Sequence, residues 1–189
     1  MKSECLRIGI SGGTFDPIHY GHLIAAQEIR EKLKLDKVIF IPVGDPPHKT
    51  DIKVTDSVHR LNMVRKAIES NSFFEASTID IDRPGYTYTI DTLMELKDKY
   101  PENSEFYFII GADTLPQLVT WKQYTKVFTL CRFAAVMRPG FASKEIYNEA
   151  RRLERCFSAK IDIIDTPMIE ISSTDIRKRV RESRSIKYL

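Results

Sequence analysis

Two histidines and three glycines near the N-terminus form the densest group of chemically useful residues in the sequence. Residues 12–22 are GGTFDPIHYGH, so His19 and His22 are three positions apart and flank Gly21. Glycines let the backbone approach a phosphate closely, and a helix N-terminus offers unpaired N–H groups and a positive dipole end. If a helix begins here, both imidazoles can face one anion above its end. The segment therefore predicts a phosphate site.

Two alternatives compete with this interpretation of the histidine pair. An isolated H-x-x-H is more often a pair of surface histidines beside a tight turn, but two of the chain's four histidines lie in this one glycine-rich segment. This context favours phosphate binding. Zinc bound by His19, His22 and Asp16 is the second alternative, although no thiolate or third histidine lies nearby in the sequence.

The elements that must position these residues follow from the alternation of apolar segments. Short apolar runs predict strands, and runs with helical spacing predict helices. We expect strands over 6–11, 38–43, 73–79, 106–110, 133–137 and 161–164. We expect helices over 21–35, 57–70, 89–100 and 144–155 and a last one from 173, with an irregular loop over 44–55.

This order predicts an α/β fold with a Rossmann-like, doubly wound, mostly parallel sheet and helices on both faces. Ligands bind such sheets at the carboxyl ends of the strands. Because the chemically useful segments follow predicted strands, we expect them to line one crevice.

Length and composition indicate a single domain spanning 1–189. The 189 residues are 42% hydrophobic, which is enough for one compact core. The charged fraction of 29% and the mean hydropathy of −0.28 argue against a membrane span. Residues 1–12 lack the features of a secretory signal. We therefore predict a cytoplasmic protein with no membrane partner.

Cysteine usage and net charge argue against several other classes. Cys5, Cys131 and Cys156 are odd in number, far apart and without a C-x-x-C pair, so we expect free thiols. The net charge of +3 is too small to indicate a nucleic-acid partner, and we expect none. A basic group crowds one end of the sequence and fits a solvated helix face: Arg177, Lys178, Arg179, Arg181, Arg184 and Lys187.

Two motifs at opposite ends of the chain carry a resemblance to a known family. The pattern G-x-F-D-P-x-H-x-G-H over 13–22 resembles the signature of the nucleotidyltransferases that share H-x-G-H with class I aminoacyl-tRNA synthetases. The sequence ISSTDIR over 171–177 resembles their I-S-S-T-x-I-R element, in which hydroxyls cap a helix and an arginine grips a triphosphate. Alone, this element would be an ordinary N-cap before a basic helix. The resemblance covers essentially the whole sequence.

The family resemblance implies an ATP site with His19, His22 and Arg177 as its catalytic residues. The residues that it implies at ATP are Gly13, Thr14, Phe15, His19, His22, Gly111, Asp113, Ile171, Ser172, Ser173 and Arg177. Asp113 also follows a predicted strand, where a carboxylate can accept hydrogen bonds from ribose hydroxyls. Capping of a helix is the alternative role of Asp113.

Three further segments narrow the resemblance: PPHK over 46–49, YTYTIDT over 86–92, and GAD over 111–113 followed by Trp121. They resemble segments of the bacterial nicotinate-nucleotide adenylyltransferases. The resemblance implies that the backbone N–H groups of Tyr88 and Thr89 hold a nicotinate carboxylate and that Trp121 stacks on the pyridine ring. A core role is the alternative for Trp121. Further candidates for the mononucleotide are Asp16, His48, Lys49 and Arg138.

The reaction implied by the resemblance joins ATP to nicotinate mononucleotide and releases pyrophosphate. Mg²⁺ would travel on the nucleotide without a dedicated set of protein ligands. Nicotinamide mononucleotide or phosphopantetheine as the acceptor remains an alternative, as does a non-catalytic nucleotide-binding or nucleic-acid-binding module. The oligomeric state stays open, a homo-oligomer included. Members of the family usually continue for a further short stretch after a segment like 185–189, so we expect a truncated C-terminus.

Overall fold

The computed structural model describes residues 5–45, 54–137, 143–167 and 169–189. Strands and helices alternate along the chain, as the apolar pattern predicts. The strands are β1 Arg7–Gly13, β2 Lys37–Pro42, β3 Phe74–Ala76, β4 Glu105–Gly111, β5 Arg132–Val136 and β6 Ile161–Ile164. The helices are α1 Tyr20–Lys32, α2 Ser57–Ile68, α3 Thr89–Lys99, α4 Tyr124–Leu130, α5 Ser143–Phe157 and α6 Ser173–Arg181, with a 3₁₀ helix over Ala112–Thr120.

The six strands form one parallel sheet in the order β3-β2-β1-β4-β5-β6. The predicted doubly wound, Rossmann-like sheet is therefore confirmed. The chain leaves β1 toward β2 on one side, and β4 lies on its other side. This reversal opens a crevice at the carboxyl ends of β1 and β4, where ligands of such sheets bind.

Alternating residues of β2, β4 and β5 face two separate apolar clusters, and these clusters place helices on both faces of the sheet. In β4, Phe106 and Phe108 belong to the cluster with α3, α4 and α5, whereas Tyr107 belongs to the cluster with α1 and α2. Strand side chains point to opposite faces with a period of two, so a sheet buried on both faces needs continuous apolar strands. The burial of each large side chain contributes about 1.5–3 kcal/mol. The rigid sheet thereby fixes the loops at its carboxyl edge.

The structure differs from the predicted elements in the length of one strand and in two helical segments. The strand expected over 73–79 is only Phe74–Ala76, and residues 77–88 instead form turns with one isolated bridge between Asp45 and Tyr86. Two helical segments after β4 were not predicted: the 3₁₀ helix over Ala112–Thr120 and α4. Pro116 lies inside the 3₁₀ helix, and proline removes a hydrogen-bond donor and hides a helical pattern.

Candidate active site

The turn after β1 is shaped by close packing at a glycine and by a left-handed residue. A Cβ on Gly12 would lie 3.2 Å from Cζ of Phe108, so a side chain at this position would press on the neighbouring strand. Phe15 has a φ of 48°, in the left-handed region, and its buried ring packs near Phe40 with 6.0 Å between centroids. Burial of this aromatic ring stabilises a backbone conformation that is otherwise unfavourable. The signature turn is therefore anchored in the core.

His19 and His22 lie together at the start of α1. His19 is the N-cap residue with extended backbone, and its N–H donates to Nδ1 of His22 over 3.3 Å. The two imidazole centroids are 3.8 Å apart with 34° between the ring planes. Since Nδ1 of a neutral His22 accepts this bond, its hydrogen resides on Nε2. Nε2 is therefore the protonated nitrogen of a neutral His22 ring.

The ISST segment caps α6 as its sequence predicts. The hydroxyl oxygen of Ser172 accepts a hydrogen bond from the backbone N–H of Asp175 over 3.1 Å. Ile176 then buries its side chain, so the first turn of α6 is fixed both by its cap and by packing.

The same segment joins α6 to the signature turn at the other end of the chain. The hydroxyl of Ser173 donates to the carbonyl of Pro17 over 2.8 Å. The guanidinium of Arg177 donates through Nη1 to the carbonyl of Asp16 over 2.6 Å. Both bonds hold the N-terminus of α6 beside the N-terminus of α1. The two motifs therefore form one site.

A cleft of about 850 Å³ opens between these helix ends and the carboxyl edge of the sheet. Its lining includes many of the residues singled out in the sequence: His19, His22, Gly111, Trp121, Ile171, Ser172, Ser173 and Arg177. Residues that sequence analysis missed also line it, among them Thr114 and the chain between β6 and α6, Thr166 to Glu170, in its described part. This connection carries no glycine-rich or charged pattern that would single it out.

Several predicted residues of the signature turn lie below this lining. Phe15 and Asp16 are 3% and 7% exposed, and Oδ2 of Asp16 accepts a hydrogen bond from the Thr55 N–H over 3.3 Å. Gly13 ends β1 beside Pro42 of β2. Gly13, Thr14, Phe15 and Asp16 are not among the residues that line the cleft. His48, Lys49 and Arg138 lie outside the described residues.

Asp113 lies in the first turn of the 3₁₀ helix, directly after β4. It is half-buried at the carboxyl edge of the sheet, next to Gly111 and Thr114 of the cleft lining. This position fits both the expected contact with a ribose and the alternative of a helix-terminal role.

The candidate acceptor region combines the start of α3 with Trp121. Tyr88 is the N-cap residue of α3, and its carbonyl accepts from the Asp91 N–H over 3.0 Å. Trp121 is half-buried and meets the Phe108 ring edge-on with 5.8 Å between centroids. Nζ of Lys122 lies 4.2 Å from the Tyr88 ring centroid and 3.4 Å from Oδ2 of Asp91. Lys122 thus adds a cation that sequence analysis did not single out.

A buried polar network holds α3 in place. The hydroxyl of Thr92 donates to Oδ1 of Asp80 over 2.5 Å, and Nη1 of Arg83 donates to the same oxygen over 3.0 Å. Burial raises the pKa of Asp80, while Thr92 and Arg83 oppose that shift. Arg83 also donates to Glu95 over 2.8 Å and lowers the pKa of that carboxyl. The network ties the second turn of α3 to the chain before it.

Arg60 is the other residue of this region that sequence analysis missed. It is 2% exposed on α2, and its guanidinium donates to main-chain carbonyls of the signature turn at Thr14, of Val43 after β2 and of Thr55 before α2. In the sequence it stands beside Leu61 in a helix with ordinary apolar spacing, so nothing distinguishes it from a solvated arginine.

Within 5–45, 54–137, 143–167 and 169–189, no group of three or more His, Cys, Asp or Glu side chains could hold a metal ion. The zinc alternative therefore has no support in those ranges. None of the helices in the same ranges is long and apolar enough to cross a membrane.

The fold and the paired motifs define a nucleotidyltransferase. The model of the cytidylyltransferase-like family matches residues 10–179, which include both motifs and all six strands in whole or in part.

Curated relatives narrow this class. The chain is 51% identical over 189 residues to the "Probable nicotinate-nucleotide adenylyltransferase" of Thermoanaerobacter sp. (strain X514), covering 100% of this chain and 89% of the relative. It is 49% identical over 183 residues to the protein of the same description from Desulfitobacterium hafniense (strain Y51), covering 97% and 88%. The chain belongs to the nicotinate-nucleotide adenylyltransferase family.

Solved structures agree with the fold. Plasmodium falciparum nicotinic acid mononucleotide adenylyltransferase complexed with NaAD superposes with a TM-score of 0.76 at 24% identity, covering 96% of this chain and 87% of that chain. The same enzyme complexed with APC gives a TM-score of 0.72. At 24% identity, the similarity to these structures supports the fold alone.

Proposed function

We propose that the cleft binds ATP beside nicotinate mononucleotide and transfers the adenylyl group to that acceptor. The products are nicotinate adenine dinucleotide, a precursor in NAD biosynthesis, and pyrophosphate; the family supports this reaction. The observation that carries the proposal is the docking of the two motifs. Arg177 and Ser173 bond to the turn that precedes His19 and His22, and all four residues line one cleft.

The reaction requires positioning and charge compensation rather than a protein nucleophile. The acceptor phosphate is already ionised at neutral pH, and charge accumulates on the departing pyrophosphate. The N-termini of α1 and α6 meet at the cleft, and each offers N–H groups and a positive dipole end. Arg177 adds a planar guanidinium. We assign the pyrophosphate to this location.

His19 and His22 act as hydrogen-bond donors to the phosphates in this proposal. The bond from the His19 N–H to Nδ1 of His22 orients the His22 ring and makes Nε2 the protonated nitrogen of a neutral imidazole. A donor fixed in this way needs no reorganisation when charge develops.

Mg²⁺ is proposed to enter on the nucleotide. It binds oxygen ligands, whereas His19, His22 and Arg177 present nitrogen donors suited to phosphate. The nearby carboxylate of Asp16 is 7% exposed and accepts from the Thr55 N–H. Phosphate oxygens and water would therefore supply its ligands, and the ion would offset phosphate charge when bound.

For the acceptor, we propose that the start of α3 binds the nicotinate carboxylate and that Trp121 stacks on its ring. The N-terminal turn of a helix favours an anion, and the Lys122 cation nearby adds to that preference. Phosphopantetheine has no aromatic ring or carboxylate for these groups. Nicotinamide mononucleotide lacks only the charge, so it is the alternative to exclude by experiment.

The decisive test is pyrophosphate release with ATP and a panel of acceptors. We expect turnover with nicotinate mononucleotide, weaker turnover with nicotinamide mononucleotide and none with phosphopantetheine. ATP binding without pyrophosphate release from any acceptor would instead favour a non-catalytic nucleotide-binding module. Binding to nucleic acid that weakens steeply with salt would favour a nucleic-acid-binding module.

A further inference from the structure

Arg60 is a buried cation that donates hydrogen bonds to main-chain carbonyls. Its side chain is 2% exposed. Nε donates to the carbonyl of Thr55 over 2.8 Å, and Nη1 donates to the carbonyl of Thr14 over 2.7 Å. Nη2 donates to the carbonyls of Val43 and Gly44 over 2.8 and 3.1 Å. One guanidinium therefore joins three separate chain segments.

Burial of this charge has an electrostatic cost that a purely apolar side chain would avoid. Desolvation lowers the pKa of Arg60, and the charges of Asp16, Asp56 and Asp45 oppose that shift. Buried charges are retained where hydrogen bonds satisfy their donors. Lysine has three donors on one atom and cannot match the planar fork that these carbonyls surround. The arrangement is therefore specific to arginine.

The contact with Thr14 sets the direction of the next backbone N–H. A trans peptide is planar, so its C=O and N–H point in opposite directions. With the Thr14 carbonyl turned toward Arg60, the Phe15 N–H points away from α2. The bond from Arg177 to the Asp16 carbonyl fixes the Asp16–Pro17 peptide, two peptides further along the turn. Both sides of the signature turn are thus held by arginines from different helices.

We propose that Arg60 is a positioning residue for the triphosphate, because it holds the Thr14 carbonyl so that the Phe15 N–H faces the phosphates. This role rests on the proposed function, in which the signature turn binds ATP. Arg60 itself does not contact the nucleotide. If Arg60 only supported α2, its loss would change the stability of the fold but not the recognition of phosphate in particular.

The test compares Arg60→Lys with Val64→Ala. Val64 lies one turn further along α2, is fully buried and belongs to the core beside α1, so its truncation weakens the same helix without touching the carbonyls. Both variants are assayed well below their unfolding temperatures. Inhibition constants are measured against ATP for two probes, inorganic tripolyphosphate and adenosine.

In Arg60→Lys, we expect the inhibition constant of tripolyphosphate to rise about tenfold, because a hydrogen bond that involves a charged group is lost. The inhibition constant of adenosine should change less than about twofold. In Val64→Ala both constants should stay near those of the unmodified protein while the unfolding temperature falls. Equal effects on the two probes in Arg60→Lys, or no effect on either, would overturn the proposal. Failure of tripolyphosphate to compete with ATP in the unmodified protein would instead refute the phosphate site on which it rests.

A second measurement needs no variant and so does not depend on the folding of Arg60→Lys. In the unmodified 21.8 kDa protein, the amide resonance of Phe15 should shift on saturation with tripolyphosphate and stay in place with adenosine. A Phe15 amide that tripolyphosphate leaves unchanged would exclude the role assigned to Arg60.

Discussion

At the scale of single residues, the histidine pair is held by backbone contacts rather than by burial in the core. The bond between the His19 N–H and Nδ1 of His22 and the edge contact of the Phe15 ring with His22, at 5.1 Å between centroids, orient the rings. Side chains held in this way can be removed without opening a large cavity. Their loss should therefore affect turnover more than folding.

We expect His19→Ala or His22→Ala to lower kcat about a hundredfold or more, since removal of a donor that stabilises developing charge costs roughly 2.7–4 kcal/mol. Steady-state pyrophosphate release measures this loss, and thermal unfolding measures the small change in stability. His59→Ala is the matched control because His59 is exposed on α2. Near-normal turnover of either site variant would contradict the proposed roles.

Arg177 offers a separate test of phosphate binding. Arg177→Lys keeps the charge but cannot present a planar fork to two oxygens, so we expect a folded protein with kcat/KM for ATP reduced about tenfold. Arg181→Lys, an exposed change one turn further along α6, should have no effect. Unchanged ATP kinetics in Arg177→Lys would assign this arginine to the basic helix surface.

At the scale of secondary structure, the start of α3 is the element that should distinguish a carboxylate from an amide. Both pyridine rings have the same shape and stack equally on Trp121. An amide would point its NH₂ at backbone donors, and such unpaired groups cost about 1–3 kcal/mol each. We expect nicotinate mononucleotide to be preferred by roughly ten- to a few hundredfold in kcat/KM, with both acceptors weakened about equally by Trp121→Ala. Loss of discrimination in Trp121→Ala would place selectivity elsewhere.

The ion pair beside this helix end gives a finer prediction. Asp91 puts a negative charge in the first turn of α3, and Lys122 lies 3.4 Å from it. Without the lysine, Asp91 repels an acceptor carboxylate but not an amide. Because both groups are partly exposed, Lys122→Gln should reduce the preference for nicotinate mononucleotide only about two- to fivefold. Lys126→Gln is the control, and a double variant with Asp91→Asn should recover the preference.

The sequence predicts elements well where periodicity is strong. The apolar strands and the glycine-rich turn identify the parallel sheet and the crevice, because these signals are local. The segment over 112–130 was missed because its 3₁₀ helix contains Pro116 and lacks regular spacing. Arg60 was missed for a different reason. Its partners are carbonyls of Thr14, Val43, Gly44 and Thr55, and every residue type has a carbonyl, so no sequence pattern marks them.

At the scale of the whole molecule, the three cysteines report on the core. Cys5 and Cys156 are exposed and Cys131 is buried, and burial raises the pKa of the Cys131 thiol to about 12. In the native protein, an aromatic disulfide reagent should modify two thiols quickly and the third only after unfolding. Three equally fast thiols would show that the core around Cys131 opens readily.

That residues 1–189 form one cytoplasmic domain stays a prediction.

The buried thiol of Cys131 should also make the free energy of unfolding depend on pH in alkaline solution. In the unfolded chain it ionises near its ordinary pKa of 9.0, whereas in the folded protein it stays protonated to about pH 12. Ionisation therefore favours the unfolded state as the pH rises through this window. Above pH 9, the free energy of unfolding of the unmodified protein should fall more steeply with pH than that of Cys131→Ala. The difference in slope should be about 1.4 kcal/mol per pH unit. Parallel curves for the two proteins would contradict the burial of the thiol.

The bonds from Ser173 and Arg177 to the carbonyls of Pro17 and Asp16 span 156 and 161 residues of sequence. A ribosome releases the chain from its N-terminus, so the turn that should bind the nucleotide emerges long before the helix that completes it. Until α6 is synthesised, water must hydrate the carbonyls of Asp16 and Pro17. The ability to hold a triphosphate should therefore appear late and abruptly, when residue 177 leaves the exit tunnel, which keeps a nascent chain from capturing ATP before it can use it.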